Sequence, residues 1–335
     1  MKIISKITRI TTILTLTIGM YSCSDDDDGN VVVAPTQSIA EFVASQSNYS
    51  SLKAALDLTE LTPILSGTEQ FTVFAPDNGA FTSFLTDAGF ADLSEVDTDE
   101  EIALVKSILL NHVVNGSNLS ATLSTGYINT QATYGDTVDQ FLSMYLTVEN
   151  NTVTINGGSS GENTGAVVSQ ADIITTNGVI HAVDAVIQLP KVTTFATADP
   201  NFSRLVEGLT AYSFEYVTTL EGAGPFTVLA PDNAAFDTLL DSNADWNATS
   251  DIPEATLETA LNLHVISGSN VREGDLTDGE VTTLGGNIAV DTTNNTITDG
   301  SDPAISSTIV STNVQATNGV IHVIDTVLLS AISNR

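Results

Sequence analysis

Apolar positions along this chain follow two different periods. Ile102, Leu104, Val105, Ile108 and Leu109 recur at helical spacing. Thr98-Asp-Glu-Glu101 stands just ahead of them as a capping box, in which a hydroxyl and a carboxylate three residues apart satisfy each other's backbone N–H groups. The stretches Ile39 to Leu61 and Phe202 to Leu220 also carry amphipathic helical patterns. Phe71-Thr-Val-Phe-Ala75, by contrast, is aromatic and β-branched with alternating apolar positions, which predicts a strand. The Pro76-Asp-Asn78 that follows stops the ladder and offers Asp or Asn as a helix cap, so strand, sharp corner and short helix are expected in succession. Asn177-Gly178 and Asn318-Gly319 predict tight turns with positive φ leading into strands. Helices therefore cluster early and Thr- and Val-rich strands late in each half, an α+β arrangement rather than an alternating parallel sheet.

The two halves are copies. Phe71-Thr-Val-Phe-Ala-Pro-Asp-Asn-Gly-Ala-Phe81 recurs as Phe226-Thr-Val-Leu-Ala-Pro-Asp-Asn-Ala-Ala-Phe236, identical at nine of eleven positions. A second box, His112-Val-Val-Asn-Gly-Ser-Asn-Leu119, recurs as His264-Val-Ile-Ser-Gly-Ser-Asn-Val271. A third, Thr176-Asn-Gly-Val-Ile-His-Ala-Val-Asp-Ala-Val186, recurs as Thr317-Asn-Gly-Val-Ile-His-Val-Ile-Asp-Thr-Val327. Between the second and third boxes, His112 and His181 are 69 residues apart while His264 and His322 are 58 apart, so the first copy holds 11 extra residues. The Gly-rich stretch 156–166 is the expected place for them, since surface loops tolerate length best.

Ahead of the first copy, Lys2, Lys6 and Arg9 precede an apolar run from Ile10 to Tyr21, and Ser22 stands before Cys23, the single cysteine of the 335 residues. That is an export-signal layout, and the run is shorter than the ~20 residues a spanning helix needs. It resembles a bacterial lipoprotein signal in which Cys23 is lipidated and becomes the first mature residue. Met20 and Tyr21 depart from the Leu and the small residue usual at those places. Ser24 followed by Asp25, Asp26, Asp27 and Asp28 resembles the acidic export tag of surface-exposed lipoproteins of Bacteroidota. The organisation expected is a signal peptide over 1–22, a lipidated acidic tether over 23–35, and two domains over 36–190 and 191–332. An outer-membrane lipoprotein facing the cell exterior follows from those resemblances, with the membrane contacted through the lipid alone.

Charge then narrows the partners. The chain has 41 acidic and 9 basic residues, a formal net charge of -32, which argues against phosphate backbones and anionic lipid surfaces. Residues 36–190 hold 18 acidic and 2 basic groups and residues 191–335 hold 19 and 4, so the copies repel one another. A pair more extended at low than at high salt is the expectation.

The Phe-Thr-Val-Phe-Ala-Pro-Asp-Asn and Asn-Gly-Val-Ile-His-x-x-Asp-x-Val boxes, with His-Val-Val between them, resemble the signature motifs of fasciclin-like domains over nearly all of residues 36–332. The resemblance implies two tandem domains, each a β-sandwich-like strand core with several short helices packed against it, in proteins of cell-surface adhesion and matrix attachment. Where the family often has Tyr before the middle His, this chain has Asn111 and Leu263, so no role of that Tyr carries over.

Little in the chain reads as chemistry. The four histidines His112, His181, His264 and His322 all fall within the repeated boxes, without the short-spaced pair typical of zinc sites, and read as buried residues that orient the boxes through hydrogen bonds. His181 and Asp184, three apart on a strand, point to opposite faces. Gly157-Gly-Ser-Ser-Gly161 matches the nucleophile-elbow pattern formally but sits in a linker rather than between strand and helix. Asp275 to Glu280 and Asp291 to Asp302 are oxygen-rich without Ca²⁺-loop spacing, leaving weak divalent-cation binding at most. No cofactor, catalytic residue or resident metal is expected. The leading expectation is a non-enzymatic, lipid-anchored surface protein that attaches to an extracellular protein, a glycan or another cell. The alternative is an envelope receptor for a small ligand held between the strands and helices of one domain.

Overall fold

The structure is a computed structural model that describes residues 34–160, 164–301 and 303–329. Cys23, Ser24 and Asp25 to Asp28 lie outside the described residues, as does the expected signal segment. The first repeat runs α1 (Ile39–Ser45), α2 (Ser50–Leu58), α3 (Thr62–Leu65), β1 (Phe71–Pro76), α4 (Asn78–Asp87), α5 (Asp99–Asn111), β2 (Val113–Asn115), β3 (Gly126–Thr133), β4 (Phe141–Glu149), β5 (Thr152–Ile155), β6 (Ala166–Thr175) and β7 (Gly178–Val183). The second repeats this order as α6 (Val192–Ala198), α7 (Ser203–Thr210), α8 (Tyr216–Leu220), β8 (Phe226–Pro231), α9 (Asn233–Asp241), α10 (Glu254–Leu263), β9 (Val265–Ser267), β10 (Gly279–Thr283), β11 (Gly286–Asp291), β12 (Thr296–Thr298), β13 (Ser306–Ala316) and β14 (Gly319–Ile324). Helices early and strands late give two α+β domains.

The first and third sequence boxes are neighbours at the centre of each domain. β1 pairs with β7 in parallel from Phe71 opposite Gly178 to Pro76 opposite Val183, and β8 pairs with β14 in the same register. These strands are buried on both faces, although β1 alternates in sequence, because Thr72 turns its hydroxyl to Gly116 O at 2.7 Å and so satisfies its polar atom inside. β6 and β13 are long and bulged, pairing with β5 and β12 at one end and β7 and β14 at the other, which lets one strand serve both layers of a sandwich-like core. In the first domain the seven strands close on themselves through β2 and β3, whereas the second keeps the open order β10-β11-β12-β13-β14-β8-β9.

All but one of the extra residues of the first copy lie outside the Gly-rich stretch. Twenty residues separate Gly126 from its partner Leu146 across the β3–β4 hairpin, against eleven between Gly279 and its partner Val290 across β10–β11. That hairpin alone holds nine of the eleven. The stretch 156–166 is only one residue longer than its counterpart: Ile155 pairs with Ala166 and Ile297 with Ser307. Its Asn and Gly content serves conformation instead of length, since Asn156, Gly157 and Gly158 have φ of 47°, 80° and 90°.

The described residues from Pro35 onward form one compact unit. Tyr127 and Tyr145, on facing positions of β3 and β4, pack edge-on with Phe195 of α6 inside the core of the second repeat. Tyr127 donates to Asp199 Oδ2 at 3.0 Å, and Gln315 N of β13 donates to Ser143 Oγ of β4 at 3.0 Å. Burial, with Asp199 beside it, pushes the Tyr145 phenol up to about 12 and the Tyr127 phenol further in the same direction. Glu280 and Ala289 occupy the corresponding register of the second repeat and are exposed. The hairpins are therefore specialised, one for the joint and one for solvent. At this joint the two domains meet through an aromatic contact, a hydrogen bond to the Asp199 carboxylate and one between Gln315 N and Ser143.

Candidate functional site

The histidines are built into hydrogen-bond networks. His112 follows α5, and its Nδ1 lies 2.7 Å from Ile108 O one helical turn back while Ile187 N donates to its Nε2 at 2.9 Å. His264 repeats this with Ala260 O at 2.7 Å and Leu328 N at 3.1 Å. A carbonyl on one nitrogen and an N–H on the other fix the neutral tautomer with the proton on Nδ1. Both rings are fully enclosed, and burial lowers each to about 4. Each ties the end of a helix to the segment after the last strand of its domain.

His181 and His322 sit on the central strands β7 and β14. His181 Nε2 meets Asn118 O at 2.9 Å, and Asp172 N donates to its Nδ1 at 3.2 Å. His322 Nε2 meets Val271 O at 2.8 Å, while its Nδ1 is buried without a partner among the described residues. Burial lowers both below the usual histidine range. Asp184 turns away from His181, accepting from Val167 N at 2.7 Å and from Ser159 Oγ at 2.7 Å. Ser159, the formal elbow serine, thus lies in the β5–β6 loop hydrogen-bonded to a carboxylate. The four histidines are not brought together, and no group of three or more His, Cys, Asp or Glu among the described residues is placed to hold a metal ion. Asp278 accepts from Thr292 N at 2.7 Å, fourteen residues on, and Asp291 accepts from Asn294 N within a turn at 3.1 Å.

Sequence reading missed the asparagines. Asn177, assigned to a turn by its partner glycine, accepts from Ile39 N at 2.8 Å and donates to Leu65 O at 2.9 Å and Gly67 O at 3.0 Å. Asn318 does the same with Val192 N, Leu220 O and Gly222 O. Each is a buried three-way clamp between the last hairpin of a domain and its first helices. Only the following Gly178 has positive φ, 143°, and a side chain there would meet Phe71 O at 1.8 Å. In Pro-Asp-Asn it is the aspartate that caps: Asp77 accepts from Ala80 N at 2.9 Å and Asp232 from Ala235 N at 2.8 Å. Asn78 and Asn233 instead staple α2 and α7, accepting from Ser51 N and Arg204 N, each at 2.9 Å. Repetition of the same polar letters in both copies was the available signal for these roles.

Comparison with known proteins agrees with this layout. A model of the fasciclin domain matches residues 47–190 and again 200–330. The chain belongs to the fasciclin domain family. It is 30% identical over 277 residues to transforming growth factor-beta-induced protein ig-h3 of Sus scrofa, a match covering 82% of this chain but 37% of that protein. Protein sll1483 of Synechocystis is 34% identical over 166 residues, covering 49% of this chain and 79% of its own. Among solved structures, a FAS1 domain pair from the insect cell adhesion molecule fasciclin I superposes with a TM-score of 0.52 at 19% identity, over 84% of this chain and 97% of that one. The pairing of two fasciclin folds in one chain is shared with that structure. No helix among the described residues is long and apolar enough to cross a membrane.

Proposed function

We propose that this protein is a non-enzymatic, lipid-anchored attachment protein of the cell surface, whose two fasciclin domains bind an extracellular protein or glycan. The observation that carries the reading is the fasciclin match over both repeats, in a family whose matched solved pair comes from a molecule named for cell adhesion. The arrangement of polar groups supports it: His112, His264, Asn177, Asn318 and Asp184 are engaged in holding the fold and are not grouped into a catalytic cluster. Cys23 carries the lipid in this reading, and Ser24 with Asp25 to Asp28 directs export to the outer face. The joint through Tyr127, Tyr145 and Phe195 packs the pair into one recognition body, so a partner that touches both domains gains from the contact that holds them together.

Protease shaving of intact cells tests the reading, using the native protein, Cys23→Ala, and a variant with Asp25 to Asp28 replaced by Ala. Native protein cut on whole cells, and the Asp-run variant lipidated yet protected, is the expected result. Native protein protected until the outer membrane is broken refutes surface attachment.

A further inference from the structure

A groove of about 600 Å³ runs where the two domains meet. Asn156 and the linker residues Gln188 and Lys191 form one side, and α6, α7 and α8 form the other. Under its floor lies a second, smaller space of about 50 Å³ between the helices and the strands of the second domain, lined by Phe202, Leu205, Leu220, Leu229 and Ile321 among others. Among its described lining residues two are ionisable: His264, whose two ring nitrogens are already bonded, and Tyr216, whose hydroxyl donates to Glu258 O. Thr193, Ala196, Leu209 and Val217 line both spaces, so these side chains form the wall shared by the apolar slot and the polar groove. The groove is of the size that holds small molecules, and an apolar recess with a few polar groups at its mouth is the usual make-up of such sites.

The polar groups at the mouth select a charge. Lys191 has no carboxylate partner among the described residues and donates from Nζ to Glu221 O at 2.8 Å. In a chain of net charge -32 such a free ammonium is scarce. Asn156 adds a second donor: its Oδ1 accepts from Tyr145 N at 2.9 Å, but its buried Nδ2 has no partner among the described residues. Among the described residues Glu221 is the sole carboxylate lining the groove, and it is exposed.

We infer that this groove forms a binding site for a small aliphatic carboxylate, with the chain against Ala196, Leu209 and Val217 and the carboxylate at Lys191 and Asn156. This goes beyond surface attachment, because it concerns a soluble small molecule held between the domains rather than a macromolecule on the outer surface. A charge-assisted hydrogen bond is stronger than a neutral one, so the head group should decide affinity.

Calorimetric titration of the full chain with hexanoate, hexan-1-ol and hexylammonium tests the site. Hexanoate is expected to bind saturably and roughly tenfold or more tightly than hexan-1-ol, with hexylammonium weaker still. Lys191→Gln should bring hexanoate down to the level of the alcohol, Glu221→Gln should tighten it, and Ala196→Leu should block both by filling the apolar wall of the groove. Absence of saturable hexanoate binding overturns the inference, as does equal binding of acid and alcohol. Unchanged hexanoate binding in folded Ala196→Leu places the ligand elsewhere and also overturns it. The surface variants Lys191→Gln and Glu221→Gln keep the test decisive if Ala196→Leu fails to fold.

Discussion

Acidification from pH 7 to pH 5 should weaken this protein through two residues, His112 and His264. Each ring donates from Nδ1 to a helix carbonyl and accepts at Nε2 from a backbone N–H, so a proton added to Nε2 would point at a donor inside a fully buried pocket. Burial accordingly lowers both to about 4, while the unfolded chain titrates near the ordinary 6.5. A depressed folded-state value means the fold favours the neutral ring. The stability it contributes is complete above 6.5, is lost as the pH falls towards 4, and changes no further below that. Linkage with those two values gives a loss of about 2 kcal/mol per histidine at pH 5, hence about 4 kcal/mol for the pair. His181 and His322 are lowered as well and add in the same direction. Carboxylates held low by their hydrogen bonds, such as Asp57, Asp92 and Asp291, titrate below this window and do not mask it. Urea midpoints of the full chain at pH 7, 6 and 5, followed by circular dichroism, provide the stability readout, and imidazole resonances in NMR provide the site readout. The midpoint should fall steadily across the series, and replacing His112 and His264 by Asn should lower stability at pH 7 but flatten the slope. Ring resonances of His112 and His264 titrating near 6.5, or a midpoint unchanged between pH 7 and pH 5, would refute the reasoning.

Three further outcomes are expected. Asn177→Ala removes the clamp on Ile39 N, Leu65 O and Gly67 O and should cost about 2 to 4 kcal/mol, since unpaired buried polar groups cost about 1 to 3 kcal/mol each and part of the site can relax; a loss under half a kcal/mol by chemical denaturation would show that the clamp is dispensable. Gly208→Ala should stabilise by about 0.5 to 1 kcal/mol: Gly208 lies within helix α7, an added Cβ would rest at 3.7 Å from Leu257 and 3.8 Å from Phe236, and Ala55 already fills the corresponding place in α2; a lower melting temperature would contradict it. Small-angle scattering of the native protein should give the same radius of gyration at low and high salt, because aromatic packing and hydrogen bonds hold the joint, whereas the Tyr127→Ala, Tyr145→Ala double variant should become extended at low salt only; native protein that expands at low salt would show that repulsion outweighs the joint.

The linear sequence by itself determined the duplication, the α+β class and the polar punctuation of each element. The Thr98 capping box is seen as read, with Thr98 accepting from Glu101 N at 3.2 Å and Glu101 from Thr98 N at 3.1 Å. These features are local: periodicity, caps and turns act within a few residues and leave their mark in adjacent letters. Tertiary structure alone decided the rest. It moved the extra length of the first copy from 156–166 to the β3–β4 hairpin, because strand register is set by pairing across the sheet rather than by composition. It turned Asn177 and Asn318 from turn residues into clamps, because their partners lie more than 90 positions away. It set Tyr127 and Tyr145 against Phe195, and left a groove beside them, because a joint between two domains exists only once both have folded, and no periodicity within one segment encodes it.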